Sequence, residues 1–374
     1  MKSELAETIL KNTMQHWDVH KQSGETTSIQ IISEIKYDDY QQYTHGMRYI
    51  ESLALWLRQF ETDRERDDAY SFIKDHLIFI SEEEMRQLVT YTFPILMKES
   101  LMEKTRNFCI QQGISDLEER KEIFRYFRRC SLFLGLSDGA HVDYFRRQNS
   151  QLSNEQIFVH YDLSGEKARD MKKKLCEDEQ IVKQLKKYPQ LGEPLFSSIF
   201  LMDDFAGSGK SYIRYKEESG WDGKISRFVR RLREYDYKTE QADIKMILCL
   251  ASQQAQDYLK TTLEQFSSSS EWGGRQITVS AMQTVDKENP REIDGLEELL
   301  RKYYEKNKNK GYQSFEDEHF SVGGSECPPY YGFGGCALPL VLAHNTPNNS
   351  FPILWWSWDN QVNALFPRVS RHKE

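Results

Sequence analysis

The residues with the clearest chemical content lie in IFLMDDFAGSGKS, residues 199–211. An apolar run that reads as a strand delivers two adjacent carboxylates, Asp203 and Asp204. A small-residue turn follows, made of Ala206, Gly207, Ser208, Gly209, Lys210 and Ser211. Such a turn suits an anion, because successive backbone N–H groups converge where no bulky side chain intervenes, and the hydroxyls of Ser208 and Ser211 add donors. The pattern predicts a helix from Tyr212, whose N-terminus would complete the cradle. Two chemistries compete for it. A nucleoside-triphosphate P-loop shares the Gly-Lys-Ser ending but requires glycine where Asp204 stands, and carboxylates at the mouth of a phosphate cradle oppose its ligand. The other chemistry gives the two acids a task of their own beside the anion.

A strand ending in Asp-Asp and a Gly/Ser turn resembles the phosphoribosyl diphosphate (PRPP) loop of type I phosphoribosyltransferases. The resemblance implies a 5′-phosphate on the 206–211 amides, with Asp203 and Asp204 accepting hydrogen bonds from the ribose 2′- and 3′-hydroxyls as the catalytic pair. The likeness extends further. WLRQF (56–60), LGLSDGAHVDYFRR (134–147), LMDDFAGSGKS (201–211) and LAHNTPNNSFPILWW (342–356) occur in an order similar to that of the PRTase-CE family. These are phosphoribosyltransferase-like proteins of bacterial conflict and anti-phage loci, some beside retron reverse transcriptases. The resemblance covers the chain from about residue 45 onward. It implies a type I phosphoribosyltransferase-like fold, a toxin or effector role, and a defence-system partner such as a reverse transcriptase with its nucleic acid.

In that fold a second loop, after an early strand, holds the diphosphate. Ser137, Asp138 and Gly139 follow the apolar run CSLFLGL, and Arg146 and Arg147 come within two turns. Glycine permits the backbone such a loop needs, and arginines can reach the same phosphates; the same residues also fit a plain strand-to-helix turn. Mg²⁺ is expected to bridge diphosphate and ribose oxygens, carried by substrate and water rather than by a protein cage. Near the C-terminus, His344 and Asn345 are candidate polar contacts to a base, and Trp355 or Trp356 a stacking wall. The Asn345–Asn349 cluster equally suits a tight loop closed by side-chain-to-backbone hydrogen bonds.

These residues need a scaffold. The first 130 residues read as helical. Ile50, Leu53, Leu57 and Phe60 share one helix face, and Ser81-Glu82-Glu83-Glu84 and Ser115-Asp116-Leu117-Glu118 are capping-box patterns. Pro94 should kink or end the first of those two helices. SIQIISEIKY (28–37) fits a strand or a helix. From Cys130 apolar runs alternate with helical segments: 130–136, 156–162, 195–202, 245–252 and 276–282 read as strands, with CALPLVLAH and FPILWWSW completing the set. Alternation of this kind implies an α/β fold with a mostly parallel sheet flanked by helices. The predicted organisation is a helical N-terminal lobe, 1–129, and a phosphoribosyltransferase-like α/β domain, 130–374. The SSSS run (267–270) and KNKNKGYQ (306–313) read as surface loops.

Composition bounds the remaining readings. The chain has 374 residues, 50 Lys plus Arg against 58 Asp plus Glu, and a net charge of −8. That balance excludes a general nucleic-acid coat, although FRYFRR (124–129) and YFRR (144–147) combine arginine with aromatics in a way that suits local phosphate contact. No apolar run is long enough to span a membrane, and the opening MKSELAETILKNTMQHWD lacks a secretory h-region, so the expected location is the cytoplasm. The six cysteines lack metal-ligand spacing, and no metal site is predicted. Three functions follow for testing: a PRPP-dependent transferase, a nucleotide-sensing module that keeps the pocket, and a degenerate P-loop NTPase.

Overall fold

The computed structural model describes residues 3–44, 46–159, 164–234, 238–272, 276–305, 328–357 and 362–368. In chain order its strands are β1 (Ile78–Ile80), β2 (Ser131–Gly135), β3 (Ile157–Val159), β4 (Phe196–Ala206), β5 (Arg214–Lys216), β6 (Gly220–Asp222), β7 (Lys238–Ser252), β8 (Ile277–Val285) and β9 (Leu340–Leu342). The chain forms two compact units, one of residues 85–285 and one assembled from 1–84 together with 286–374. The sequence boundary at 129/130 therefore does not match the division. Helices Lys98–Gln111 and Leu117–Arg129 belong with the large sheet, whereas the C-terminal β9 pairs with the early β1.

Within 85–285, the described residues build a five-stranded parallel sheet of order β3-β2-β4-β7-β8. The fold is α/β with helices flanking this sheet. Its central strands are apolar on both faces because both faces are covered. Phe133 of β2 and Phe200 of β4 lie in register and stack at 5.3 Å. Both are essentially without solvent exposure, and each contributes about 2–3 kcal/mol of apolar burial. From β2 the chain adds β3 on one side, then returns to place β4, β7 and β8 on the other. The order reverses between β2 and β4, and in open parallel sheets ligands bind at the carboxyl ends of the strands flanking such a reversal.

Several elements depart from the sequence reading. Residues 28–35 belong to the helix Val19–Ile35, with Lys36 as its C-cap and Tyr37 opening a 3-10 turn, because Thr26, Ile29 and Ser33 are buried at helical spacing. The helix Glu82–Thr92 does not stop at Pro94. It passes through a π-helical turn, Phe93–Met97, into Lys98–Gln111, which accommodates the missing proline N–H without ending the rod. Asp116, rather than Ser115, caps the helix Leu117–Arg129 by accepting from the Glu119 amide. The charged stretch 165–187 is two helices divided at Asp178, whose carboxylate caps the second. FPILWWSW supplies a short helix, Pro352–Trp355, with proline in its first turn, rather than a strand. Of QIFVHYD, Ile157–Val159 form β3, and its last three residues lie outside the described residues, as does the 306–313 loop.

The unit of 1–84 and 286–374 packs around aromatics. Trp56 is fully buried and donates from Nε1 to the Ile353 carbonyl at 2.8 Å. Phe366 stacks on Tyr49, and the Tyr40 hydroxyl donates to the Pro367 carbonyl at 2.6 Å. On its surface Glu65 completes a capping box with Thr62 and accepts from Lys302 at 2.6 Å and from Tyr303 at 2.9 Å. Burial alone would raise this carboxyl, but the hydrogen bonds from Lys302, Thr62 and Tyr303 outweigh it and hold the pKa at about 2. A depressed folded-state pKa contributes stability above the ordinary value of 4.5 and loses it as pH falls toward 2. Glu65→Ala should therefore cost about 2 kcal/mol at neutral pH, the sum of a lost cap and its ion pairs. Urea melts should show the gap to wild type closing between about pH 5 and pH 2. A pH-independent gap would refute the linkage.

Candidate phosphoribosyl site at the sheet reversal

β4 does not end before the acidic pair but runs through Ala206, so Asp203 and Asp204 are strand residues on opposite faces. They are consequently unequal. Asp203 has 1 % exposure, while Asp204 is half-buried. Asp203 accepts a hydrogen bond from the Ser137 hydroxyl, which stands just beyond β2, and a charged one from Lys224 Nζ at 2.5 Å. Burial, reinforced by the neighbouring Asp204, pushes its carboxyl up, against the pull of Lys224 and Ser137. The same burial and the same two carboxylates raise the Tyr212 phenol and the Cys249 thiol. Asp204 faces Gly139: a Cβ at that glycine would lie 2.7 Å from Asp204 Oδ2. The structure thus brings Ser137, Gly139, Asp203 and Asp204 together where the strand order reverses.

The turn after β4 is held from its carbonyl side. The Gly207 carbonyl accepts from Ser252 Oγ, which also caps the helix Gln253–Ser267. The Gly209 carbonyl accepts from the Tyr212 amide at 3.0 Å, that of Lys210 from Arg214, and that of Ser211 from the Lys224 amide. The Lys210 amide reaches Ser208 Oγ at 3.4 Å. No described residue accepts from the amides of Gly207, Ser208, Gly209 or Ser211. The carbonyls are engaged by protein while these amides have no protein acceptor; Gly207, Ser208 and Gly209 are buried and Ser211 is exposed. Gly209 is required by its backbone, at φ +75°, and by its packing, since a Cβ there would meet Tyr258 and Leu259 at 2.9 and 3.0 Å.

No helix begins at Tyr212. The buried Tyr212 ring turns inward, its hydroxyl donating to the Phe205 carbonyl at 2.7 Å, and the chain continues into the antiparallel β5–β6 hairpin. The turn expected to cradle an anion therefore has no helix N-terminus directly behind it. The P-loop reading loses its second defining feature, the helix directly after Gly-Lys-Ser. The helix comes later, at Lys224–Glu234, and Lys224 was not singled out from the sequence. A signal existed: a lysine opening a helix runs against the helix dipole and calls for a nearby carboxylate. Gly223, at φ +118°, lets this helix start against Tyr212, since a Cβ there would be 2.5 Å from the Tyr212 carbonyl oxygen. Lys224 Nζ also lies 4.8 Å from the centre of the Tyr212 ring.

The other predicted residues are placed differently. Asp138 is exposed in the turn beside Gly139. Arg146 donates to the Ile157 carbonyl at 2.7 Å, at the beginning of β3 rather than at the carboxyl ends, and Arg147 is exposed. His344, Asn345, Trp355 and Trp356 belong to the unit of 1–84 and 286–374. Gln42 donates to the His344 carbonyl, and Asn345 closes a tight turn onto Leu342. Trp355 and Trp356, each 8 % exposed, are part of that unit's core, Trp355 donating to the Ser350 carbonyl and Trp356 packing edge-on to Tyr304. They are core rings, not an open stacking wall. Among the described residues no cluster of three or more His, Cys, Asp or Glu could hold a metal, and no helix is long and apolar enough to cross a membrane.

The reversal site, the acidic pair and the amide loop agree with a family match spanning residues 53–368, to PRTase-CE. The chain belongs to the PRTase-CE family. The match covers most of both units, so family membership accounts for the aromatic unit as well as for the sheet. No curated protein and no solved structure gives a significant match.

The buried pair generates a test. Lys224→Met would leave Asp203 buried without its cation and should cost about 3–5 kcal/mol. Adding Asp203→Asn should recover most of the loss. Without Lys224 the Asp203 carboxyl rises further, and a raised folded-state pKa means stability is lost as pH rises through it. The single variant should therefore be worse at about pH 8 than at about pH 5 in thermal melts. Equal losses at both pH values, with no rescue, would show that the ion pair is not what holds this region.

Proposed function

We propose that the chain binds PRPP, or a related ribose 5-phosphate donor, at the carboxyl ends of β2 and β4 and acts as a phosphoribosyltransferase-like effector. The observation that carries this reading is the set of amides at Gly207, Ser208, Gly209 and Ser211 that have no protein acceptor among the described residues, directly after a half-buried carboxylate. The amides suit a 5′-phosphate. Asp204, the more accessible acid, suits the ribose hydroxyls, and Asp203 acts as a positioning residue through Ser137 and Lys224. Ser137 and Asp138 stand on the side where a diphosphate would lie. In transfer, the C1–O bond to diphosphate breaks with its electron pair leaving on diphosphate, and an acceptor atom bonds C1 and gives up its proton. The protein contributes alignment and a fixed electrostatic environment.

Mg²⁺ fits this oxygen-rich setting: Asp204 and Asp138 would offer it carboxylate oxygens beside those of the diphosphate, and it would neutralise charge on the leaving group. The role in an anti-phage system, with a reverse transcriptase and its nucleic acid as partner, is supported by the family resemblance. Within this reading a sensor that binds without chemistry differs from an enzyme only in releasing no diphosphate.

PRPP with Mg²⁺ at a hundredfold excess over Kd should stabilise the protein by about 2.7 kcal/mol, several degrees in Tm, and ATP with Mg²⁺ should not. Asp204→Asn should abolish the shift while the fold survives. Gly139→Ala, which presses on Asp204, should weaken it, and Lys210→Ala should reduce it only moderately. An undiminished PRPP shift in Asp204→Asn would overturn the assignment. A shift given by ATP and lost in Lys210→Ala would restore the P-loop reading. Diphosphate release from PRPP, measured on the same preparation, separates enzyme from sensor.

A further inference from the structure

A basic basin stands apart in sequence from the candidate phosphoribosyl loop, on the helices Lys98–Gln111 and Leu117–Arg129 of the 85–285 unit. Between these helices opens a basin of about 580 Å³ walled by Lys98, Arg106, Arg120, Lys121, Arg125 and Arg128, with no carboxylate in its lining. Lys121 pairs with Glu118, and Arg120 donates to the Ile114 carbonyl. Lys98, Arg106, Arg125 and Arg128 have no ion pair among the described residues. Four uncompensated cations around one hollow, in a chain of net charge −8, repel one another. Burial, and then the adjacent Arg125, pull the Arg128 guanidinium below its usual value. The floor is apolar and open, with Phe124 half-buried, Met102 49 % exposed and Ile110 69 % exposed.

The hollow continues on two sides. A basin of about 380 Å³ shares Lys98, Phe124 and Arg128 and adds Tyr91, whose ring is 53 % exposed. Another of about 350 Å³ shares Arg125 and Arg128, but Asp178 and Glu179 also line it and Asp178 pairs with its Arg129 at 2.9 Å, so the run of uncompensated charge ends there. A free mononucleotide would fill one basin; a chain of phosphates follows the two that carry no carboxylate. Cations along a track with ring faces in its floor match the way single strands are held, phosphates on the charges and bases on the rings. An acidic peptide would satisfy the charges but leave the rings without planar partners.

We propose that this track binds single-stranded nucleic acid, with phosphates on Lys98, Arg106, Arg125 and Arg128 and bases against Phe124 and Tyr91. The proposal is independent of the phosphoribosyl reading and is tested on the intact chain by fluorescence anisotropy with a labelled oligothymidylate of about 12 nucleotides. Four phosphate contacts predict a slope of log K against log salt of about −2.8. Arg106→Glu with Arg125→Glu, both exposed and safe for folding as a melt will verify, should weaken binding at least tenfold and flatten the slope by about 1.4. Phe124→Ala should weaken binding about tenfold and leave the slope unchanged. The proposal falls if the oligonucleotide does not bind at about 0.1 M salt, or if the charge reversals leave binding intact. It also falls if polyglutamate of equal charge binds as tightly, or if thymidine monophosphate competes as well per nucleotide as the oligomer.

Discussion

A single buried carboxylate organises the candidate site. Asp203 is almost fully buried, and it is tolerable there because Ser137 and Lys224 reach it from two other elements. That one group ties the exit of β2, the end of β4 and the start of the helix Lys224–Glu234. Because side chains alternate along a strand, fixing Asp203 inward fixes Asp204 to the opposite face, toward Gly139. Buried ion pairs contribute little net stability against an apolar replacement, but breaking one is expensive. What this pair secures is direction: it sets which acid is available and where the following turn begins.

The turn after β4 is shaped without a helix dipole behind it. Its carbonyls are occupied by Ser252, Arg214 and the amides of Tyr212 and Lys224, which fixes the orientation of its peptide planes. Tyr212 locks the far end by turning its ring into the core and returning its hydroxyl to the backbone of β4. An orientation fixed before any ligand arrives lowers the ordering cost of binding.

The sheet was legible because strands buried on both faces read as continuous apolar runs, as at 130–136, 195–202 and 245–252. The residues after Ser211 were not, because a Gly-Lys-Ser turn usually enters a helix and nothing local in Tyr212 or Ile213 announces that both side chains are buried. Residues 28–37 alternate well enough for a strand, and tertiary packing of Ile29 and Ser33 decided for helix. In the site, the acidic pair and the small-residue turn were visible as types and spacing. The inequality of Asp203 and Asp204 was not, since it depends on strand length. Lys224 belongs to no motif and becomes meaningful only through a partner 21 residues away. The core position of the tryptophans at 355 and 356 was not legible for the converse reason, because a large aromatic beside glycine- and asparagine-rich turns suits a pocket and a core equally well.

The pairing of β1 with β9 has a consequence for how the chain matures on the ribosome. Residues 85–285 are contiguous, and their sheet can close as soon as β8 has emerged. The aromatic unit cannot close so early. Its Tyr40 hydroxyl waits for Thr346 and its Trp56 indole for Ile353, partners 306 and 297 positions downstream. Contacts of such separation carry a large loop-closure cost and form slowly. A nascent chain therefore presents a finished sheet while Trp56, Phe60 and Phe72 still lack their cover. During that interval exposed aromatic surface, rather than the site itself, sets the demand for chaperone protection.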